Sequence, residues 1–186
     1  MKISRESLSD LYNEQTDALF SYGCKFTGDR ELVKDCIHDV FVKLYEREDI
    51  SNVRNMKFYL LRSFKNLLLD ELSKSHPENI DEAQFSYIHD SSDETRSVEI
   101  DETVAIKKKY IEKIFENLTS RQKEAVYLYY IEELSYDEVS QMMGMNYQSV
   151  RNVVHRALAK LREKLGNKRP EFLLIVLTFF QKKSKK

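Results

Sequence analysis

The stretch LSYDEVSQMMGMNYQSVRNVVHRALAKLREKL, running from Leu134 to Leu165, decides how the chain folds. Ser135 with Glu138 three positions on is a capping-box pattern, so a short helix is expected to start at Tyr136 and to carry Val139, Met142 and Met143 inward. Gly144 stops that helix, because a residue without a Cβ takes up the left-handed conformation that satisfies the last carbonyls; Met145 behind it is an apolar plug for the turn. Asn146 offers a side-chain oxygen to the free N–H groups of a second helix. Apolar residues then fall at 150, 154, 157, 158, 161 and 165, which is one helical face. Together these features spell a helix-turn-helix.

The other face of the second helix holds Tyr147, Gln148, Ser149, Arg151, Asn152, His155, Arg156 and Lys160. These are groups that hydrogen-bond base edges or neutralise phosphates, and the N-terminal half of such a helix is where bases are met in the major groove. From Arg151 to Arg169 there are seven basic residues against one acid, Glu163. A solvated helix face is the bland alternative. Capping box, glycine turn, second cap and a one-sided basic face arriving together favour duplex DNA.

Working outward, the composition is that of a helical protein. The chain has 186 residues, 41% hydrophobic and 33% charged, and only four glycines and two prolines to build hairpin turns. With helical rather than alternating periodicity, an all-α fold of two small helical domains is expected. Net charge is only -1, but residues 1–72 carry 11 basic and 13 acidic side chains, 73–105 carry 2 and 9, and 106–186 carry 17 and 9. The C-terminal part suits a polyanion that the middle would repel. Cys24 and Cys36 lie in predicted helices outside any metal-ligand spacing and read as core thiols of a reducing cytosol. The N-terminus MKISRESLSDLY has no apolar run, so no secretory signal is expected, and the nine-residue stretch Phe172 to Phe180 is less than half a membrane span. There is no phosphate-binding glycine loop or Ser-His-Asp pattern, and His38, His76, His89 and His155 are scattered. No catalytic residue, metal or cofactor is expected.

Along the chain, Leu8 to Cys24 reads as one amphipathic helix and a second starts near Arg30, with a stripe at 32, 33, 36, 37, 40, 41 and 44. EREDISNVRN, 46–55, is a polar loop, and MKFYLLRSFKNLLLDELSKS, 56–75, is a helix dense enough in apolar residues to be buried on most sides of a small bundle. Basic and amide groups interrupt that helix beside Phe58, Tyr59 and Phe64. Aromatics among cations are what unpaired bases stack on, although composition alone favours a core reading. Residues 75–102 lose periodicity and read as an acidic linker. A helix from about Thr103 to Asn117 follows, then a second capping box, Thr119 with Gln122, opening a helix through Ile131.

Both halves resemble one family, the bacterial RNA polymerase sigma factors of the extracytoplasmic-function (ECF) class in the sigma-70 family, in the form with regions 2 and 4 only. LTSRQKEAVYLYYIEELSYDEVSQMMGMNYQSVRNVVHRALAKLREKL is similar to region 4; DLYNEQTDALFSYGCKFTGDRELVKDCIHDVFVKLYE followed by FYLLRSFKNLLLDEL is similar to region 2. The division expected is 1–74 for region 2, 75–102 for the linker, 103–168 for region 4 and 169–186 for an apolar and basic tail.

The resemblance implies that Asp35, His38, Asp39, Phe41 and Val42 dock on core RNA polymerase, with His38 replacing the family's usual glutamine. It implies that Asn52, Arg54, Asn55, Arg62, Lys65 and Asn66 hold the melted -10 element, with Tyr59 where tryptophan is usual. It places the recognition helix on the -35 element; at Val153, often polar in the family, contact to a thymine methyl and simple packing both stay open. The partners implied are core polymerase, promoter DNA both double-stranded and melted, and an anti-sigma factor at an inner membrane; no small-molecule substrate is implied, and the location is cytoplasmic. Phe172 to Phe180 either caps region 4 or is a surface that such an inhibitor covers. Two other readings compete on the residues alone. One is a ligand-gated helix-turn-helix regulator with its sensor in residues 1–72, and the other is an interaction protein with incidental basic charge.

Overall fold

The structure, a computed structural model, describes residues 3–47, 49–75, 85 and 113–165. Among the described residues the regular structure is entirely helical, and no helix is long and apolar enough to cross a membrane. The chain divides into two compact units, Met1–Gln84 and Phe85–Lys186.

The first unit is three mutually packed helices, α1 (Arg5–Gly23), α2 (Arg30–Glu46) and α3 (Met56–Ser75). Each start is set by a side-chain cap. Ser4 Oγ accepts from Ser7 N at 3.1 Å, Asp29 Oδ1 from Leu32 N at 3.0 Å, and Asn55 Oδ1 from Phe58 N at 3.1 Å. Thus α1 starts at Arg5, a turn before the Leu8 of the sequence reading, since a polar cap leaves no apolar signature. The core comes from all three helices: Leu19 and Tyr22; Val33, Ile37, Val40, Phe41 and Leu44; Leu60, Leu61, Phe64 and Leu68. Burial of each large side chain contributes about 1.5–3 kcal/mol. At Gly23 the helices approach too closely for a larger residue, as an added Cβ would lie 2.7 Å from Phe64 Cζ and 2.8 Å from Val33 Cγ1.

The second unit holds α4 (Ser120–Val126), a π-helical turn (Tyr127–Ile131), α5 (Tyr136–Met143) and α6 (Tyr147–Leu165). The capping box predicted at Thr119 is present, with Gln122 N donating to Thr119 Oγ1 at 3.3 Å and Thr119 N to Gln122 Oε1 at 3.1 Å. The helix it opens does not keep its pitch to Ile131. Glu132 N–H reaches five residues back to Tyr127 O at 3.1 Å, and Leu134 N–H six back to Leu128 O at 3.1 Å, through a Glu133 with φ of 56°. The wider turn places Leu134 in the core at the entrance to α5. Ile114, Phe115, Leu118, Val126, Ala157 and Leu161 form one apolar cluster, with Tyr130 and Leu158 packed on it.

Beyond Ser75, the last residue of α3, Phe85 is the one described residue within the stretch read as a linker. It is 2% exposed, with its ring 5.7 Å from that of Tyr127. Tyr87 and Ile88 lie near it in the sequence, too short an apolar run to show a period, yet its own apolar area is large enough to seek a core. The expected start of a helix near Thr103 and the tail Phe172 to Phe180 lie outside the described residues.

Candidate nucleic-acid interface

The helix-turn-helix is built locally as its sequence requires. Glu138 N donates to Ser135 Oγ at 3.3 Å while Ser135 N donates to Glu138 Oε2 at 2.8 Å, closing the capping box of α5. Gly144 sits at φ 62°, ψ 32°, and both its N–H and that of Met145 reach Ser140 O, a left-handed C-cap. Two residues on, Asn146 Oδ1 accepts from Ser149 N at 2.7 Å and starts α6.

One side of α6 is then fixed in the core through Val150, Val154, Ala157 and Leu161. Gln148, Arg151, Asn152, His155 and Arg156 are exposed, and Tyr147 is 44% exposed. Gln148 Nε2 donates to Asn152 Oδ1 at 3.3 Å, so the two amides form a pair one turn apart. Ser149 is half-buried beside the cap, and Val153 is half-buried as well.

Lys160 departs from the expectation. Its Nζ donates to Gln122 Oε1 at 3.2 Å and to Asn117 O at 3.4 Å, because the helix at that depth passes the start of α4. The ammonium is engaged within the unit, unlike the outward groups nearer the N-terminus of α6.

Four tyrosines line the approach to the recognition helix. Tyr129 and Tyr136 stack at 4.2 Å and 18°, Tyr136 meets Tyr147 edge-on at 5.8 Å and 69°, and Tyr129 meets Tyr130 edge-on at 4.8 Å and 88°. Burial first, then a hydrogen bond with Tyr129, pushes the Tyr136 phenol up to about 12. The π-helical turn, which no propensity foretells, is what carries the row on toward Tyr147.

In the first unit Asp35, His38, Asp39 and Val42 are exposed at steps of 3, 1 and 3 along α2. Phe41 does not join them; it is 4% exposed and packs edge-on at 4.8 Å against Tyr12, which is 39% exposed. Position 41 falls on the buried stripe with 33, 37, 40 and 44. Asn52, Arg54, Arg62 and Asn66 are exposed and Lys65 half-buried. Asn55 is exposed while its side chain caps α3.

Cations lie over rings here. Arg62 is 5.9 Å from the centre of Phe58, Lys65 5.9 Å from Phe26, and Arg47 5.3 Å from Tyr59. Arg47 is held there by its Nε, which donates to Asp49 O at 2.8 Å. The sequence singled out neither Arg47 nor Tyr12, one being a charge in a polar loop and the other an aromatic on an amphipathic helix.

A recognition helix presenting amides and guanidiniums, in a chain that also carries a second helical unit, defines a helix-turn-helix DNA-binding protein. The family described as sigma-70, region 4 matches residues 108–161. The chain is 22% identical over 159 residues to the ECF RNA polymerase sigma factor SigM of Bacillus subtilis (strain 168), covering 84% of this chain and 93% of that protein. It is 26% identical over 154 residues to the RNA polymerase sigma-E factor of Streptomyces avermitilis, covering 82% and 81%. The solved structure of the sigma factor RpoE in complex with the anti-sigma factor NepR from Bartonella quintana shares the fold, with a TM-score of 0.58 at 19% identity over 88% of this chain and 99% of that one. By these similarities the chain resembles sigma factors of the sigma-70 family's ECF class.

Proposed function

We propose that this chain is the promoter-specificity subunit of a bacterial RNA polymerase: it binds the core enzyme, reads two promoter elements and assists strand opening by holding separated bases. The observation that carries this is the outward row Gln148, Arg151, Asn152, His155 and Arg156 on a helix whose opposite side is locked in a core. Arg and Asn in such a row pair with guanine and adenine edges in the major groove of the -35 element.

In the first unit the exposed α2 face of Asp35, His38, Asp39 and Val42 is the proposed dock for core polymerase. Asn52, Arg54, Arg62, Lys65 and Asn66, with Asn55 fixing the loop against α3, are the proposed contacts to the melted -10 strand. Arg47 and Tyr59 join them: a guanidinium resting on a ring occupies a site that an unstacked base would also fit. Opening the duplex in this way needs no bond-making by the protein, so the role is that of an initiation factor without catalytic groups, working in the cytoplasm where promoters are. By analogy with the RpoE–NepR complex, an anti-sigma factor is a proposed further partner.

The test is run-off transcription with purified core polymerase, this protein and the DNA upstream of its own gene. Discrete transcripts that require all three are expected. Firm binding of the isolated protein to that duplex, with no effect of adding core polymerase and no transcript, would support the ligand-gated regulator instead.

A further inference from the structure

Tyr147 is the first residue of α6, and its ring stands where the recognition helix begins. An exposed aromatic at a helix end normally samples several rotamers, which costs binding free energy when one of them must be fixed. Here the ring is backed. Tyr136, the first residue of α5, meets it edge-on, Tyr129 stacks on Tyr136, and Tyr130 meets Tyr129 edge-on while packing on the apolar cluster of the unit. The chain of rings thus runs from that cluster to the tip of the recognition helix. Offset and edge-on ring pairs of this kind hold each other beyond simple area burial. Arg151 lies one helical turn beyond Tyr147, on the same outward side, and acts electrostatically on Tyr136.

We infer that the Tyr129–Tyr136 pair is a positioning device that holds the Tyr147 ring in place to contact the C5 methyl of one thymine in the upstream promoter element, making Tyr147 a specificity-determining residue. The inference rests on the reading of α6 as the helix that reads the duplex. The apolar ring edge suits a thymine methyl, which of the groups presented in the major groove is the one that rewards contact without a hydrogen bond.

The experiment is selection by holoenzyme, the full chain bound to core polymerase, from a pool of promoter duplexes randomised across the upstream element. Wild type is expected to retain a T·A preference at one position, and Tyr147→Leu to lower it by up to about fourfold, the worth of one buried methyl, while leaving the other positions unchanged. Tyr136→Leu is expected to relax that same position, and the Tyr136→Leu/Tyr147→Leu double variant to relax it no further, as two members of one device must. Tyr136→Phe, which keeps the ring, should stay within about twofold of wild type. A merely structural role for Tyr136 would lower the melting temperature and weaken all positions together, and that result overturns the inference. So does an unchanged preference in Tyr147→Leu, a variant exposed enough to fold normally. If Arg151→Ala and Asn152→Ala relax their own positions while Tyr147→Leu relaxes none, the positioning device alone is wrong. If none of the three changes any preference, the reading of α6 itself fails.

Discussion

In the first unit guanidinium and ammonium groups lie over aromatic rings: Arg30 on Phe20, Arg47 on Tyr59, Arg62 on Phe58 and Lys65 on Phe26. Beside the recognition helix of the second unit the rings stack on one another, and Arg151 and Arg156 stand exposed. Under the proposed function the same residue types serve different polyanion geometries. A cation seated on a ring marks a flat surface that an unpaired base can take over, whereas a clear row of forked donors fits the edges of paired bases. On that proposal, basic charge alone does not say which form of DNA a helix meets; what the cations rest on does.

The largest effect that tests this contrast is in the second unit. Replacing Arg151 and Asn152 together by alanine should cost about 1–3 kcal/mol for each lost set of base contacts. Promoter-directed transcripts should then fall to the level of core enzyme alone, while association with core polymerase, followed by co-migration, is unchanged. In the first unit Tyr59→Ala should cost about 1–3 kcal/mol for the base it stacks. That loss should appear in the permanganate reactivity of unpaired thymines and not in binding to closed duplex, with Tyr59→Trp moving the reactivity the other way. If Tyr59→Ala weakened duplex binding instead, the contrast between the units would be broken.

Smaller changes sharpen it. Ser135→Ala removes one half of the capping box of α5 and should lower the stability of the second unit by about 1 kcal/mol in urea melts. Arg156→Ala should weaken binding to all duplexes alike and flatten the slope of log affinity against log salt by about 0.9. The smallest effect is invisible at neutral pH. Burial first, then the Glu71, Asp39 and Asp35 carboxylates, raise the Cys36 thiol from 9.0 to about 11, and the Tyr136 phenol is raised from 10.0 to about 12. Because each neutral form is favoured in the folded state, the associated stability is complete below the unfolded values and is lost as pH rises through the folded ones. Amide exchange should therefore accelerate in the first unit at a lower pH than in the second, and Cys36→Ala should delay that acceleration.

The helix-turn-helix could be read almost residue by residue, because its signals are local: a cap, a glycine at positive φ, a second cap and a 3.6-residue stripe. The outward set on α6 followed from the same period, except at Ser149, half-buried beside the cap, and at Lys160, whose partners Asn117 and Gln122 lie about forty residues away and leave no mark on neighbouring positions. Phe41 was assigned to a contact face by resemblance although its place in the 33–37–40–44 stripe argued for the core, and the stripe prevailed. The π-helical turn at Tyr127 and the burial of Phe85 were not legible for a common reason. Both depend on tertiary demand, the first on bringing Leu134 into the core and the second on filling a space beside Tyr127, and neither has a repeating pattern.

If α6 reads a promoter element as proposed, the hydrogen bond between Gln148 and Asn152 has a consequence for anyone who would retarget it. Its outward residues can be exchanged without touching Val150, Val154, Ala157 or Leu161, so altering the code leaves the scaffold intact. The two amides, however, would have to be changed as a couple, since replacing either alone frees the other to turn away from whatever letter it was meant to meet.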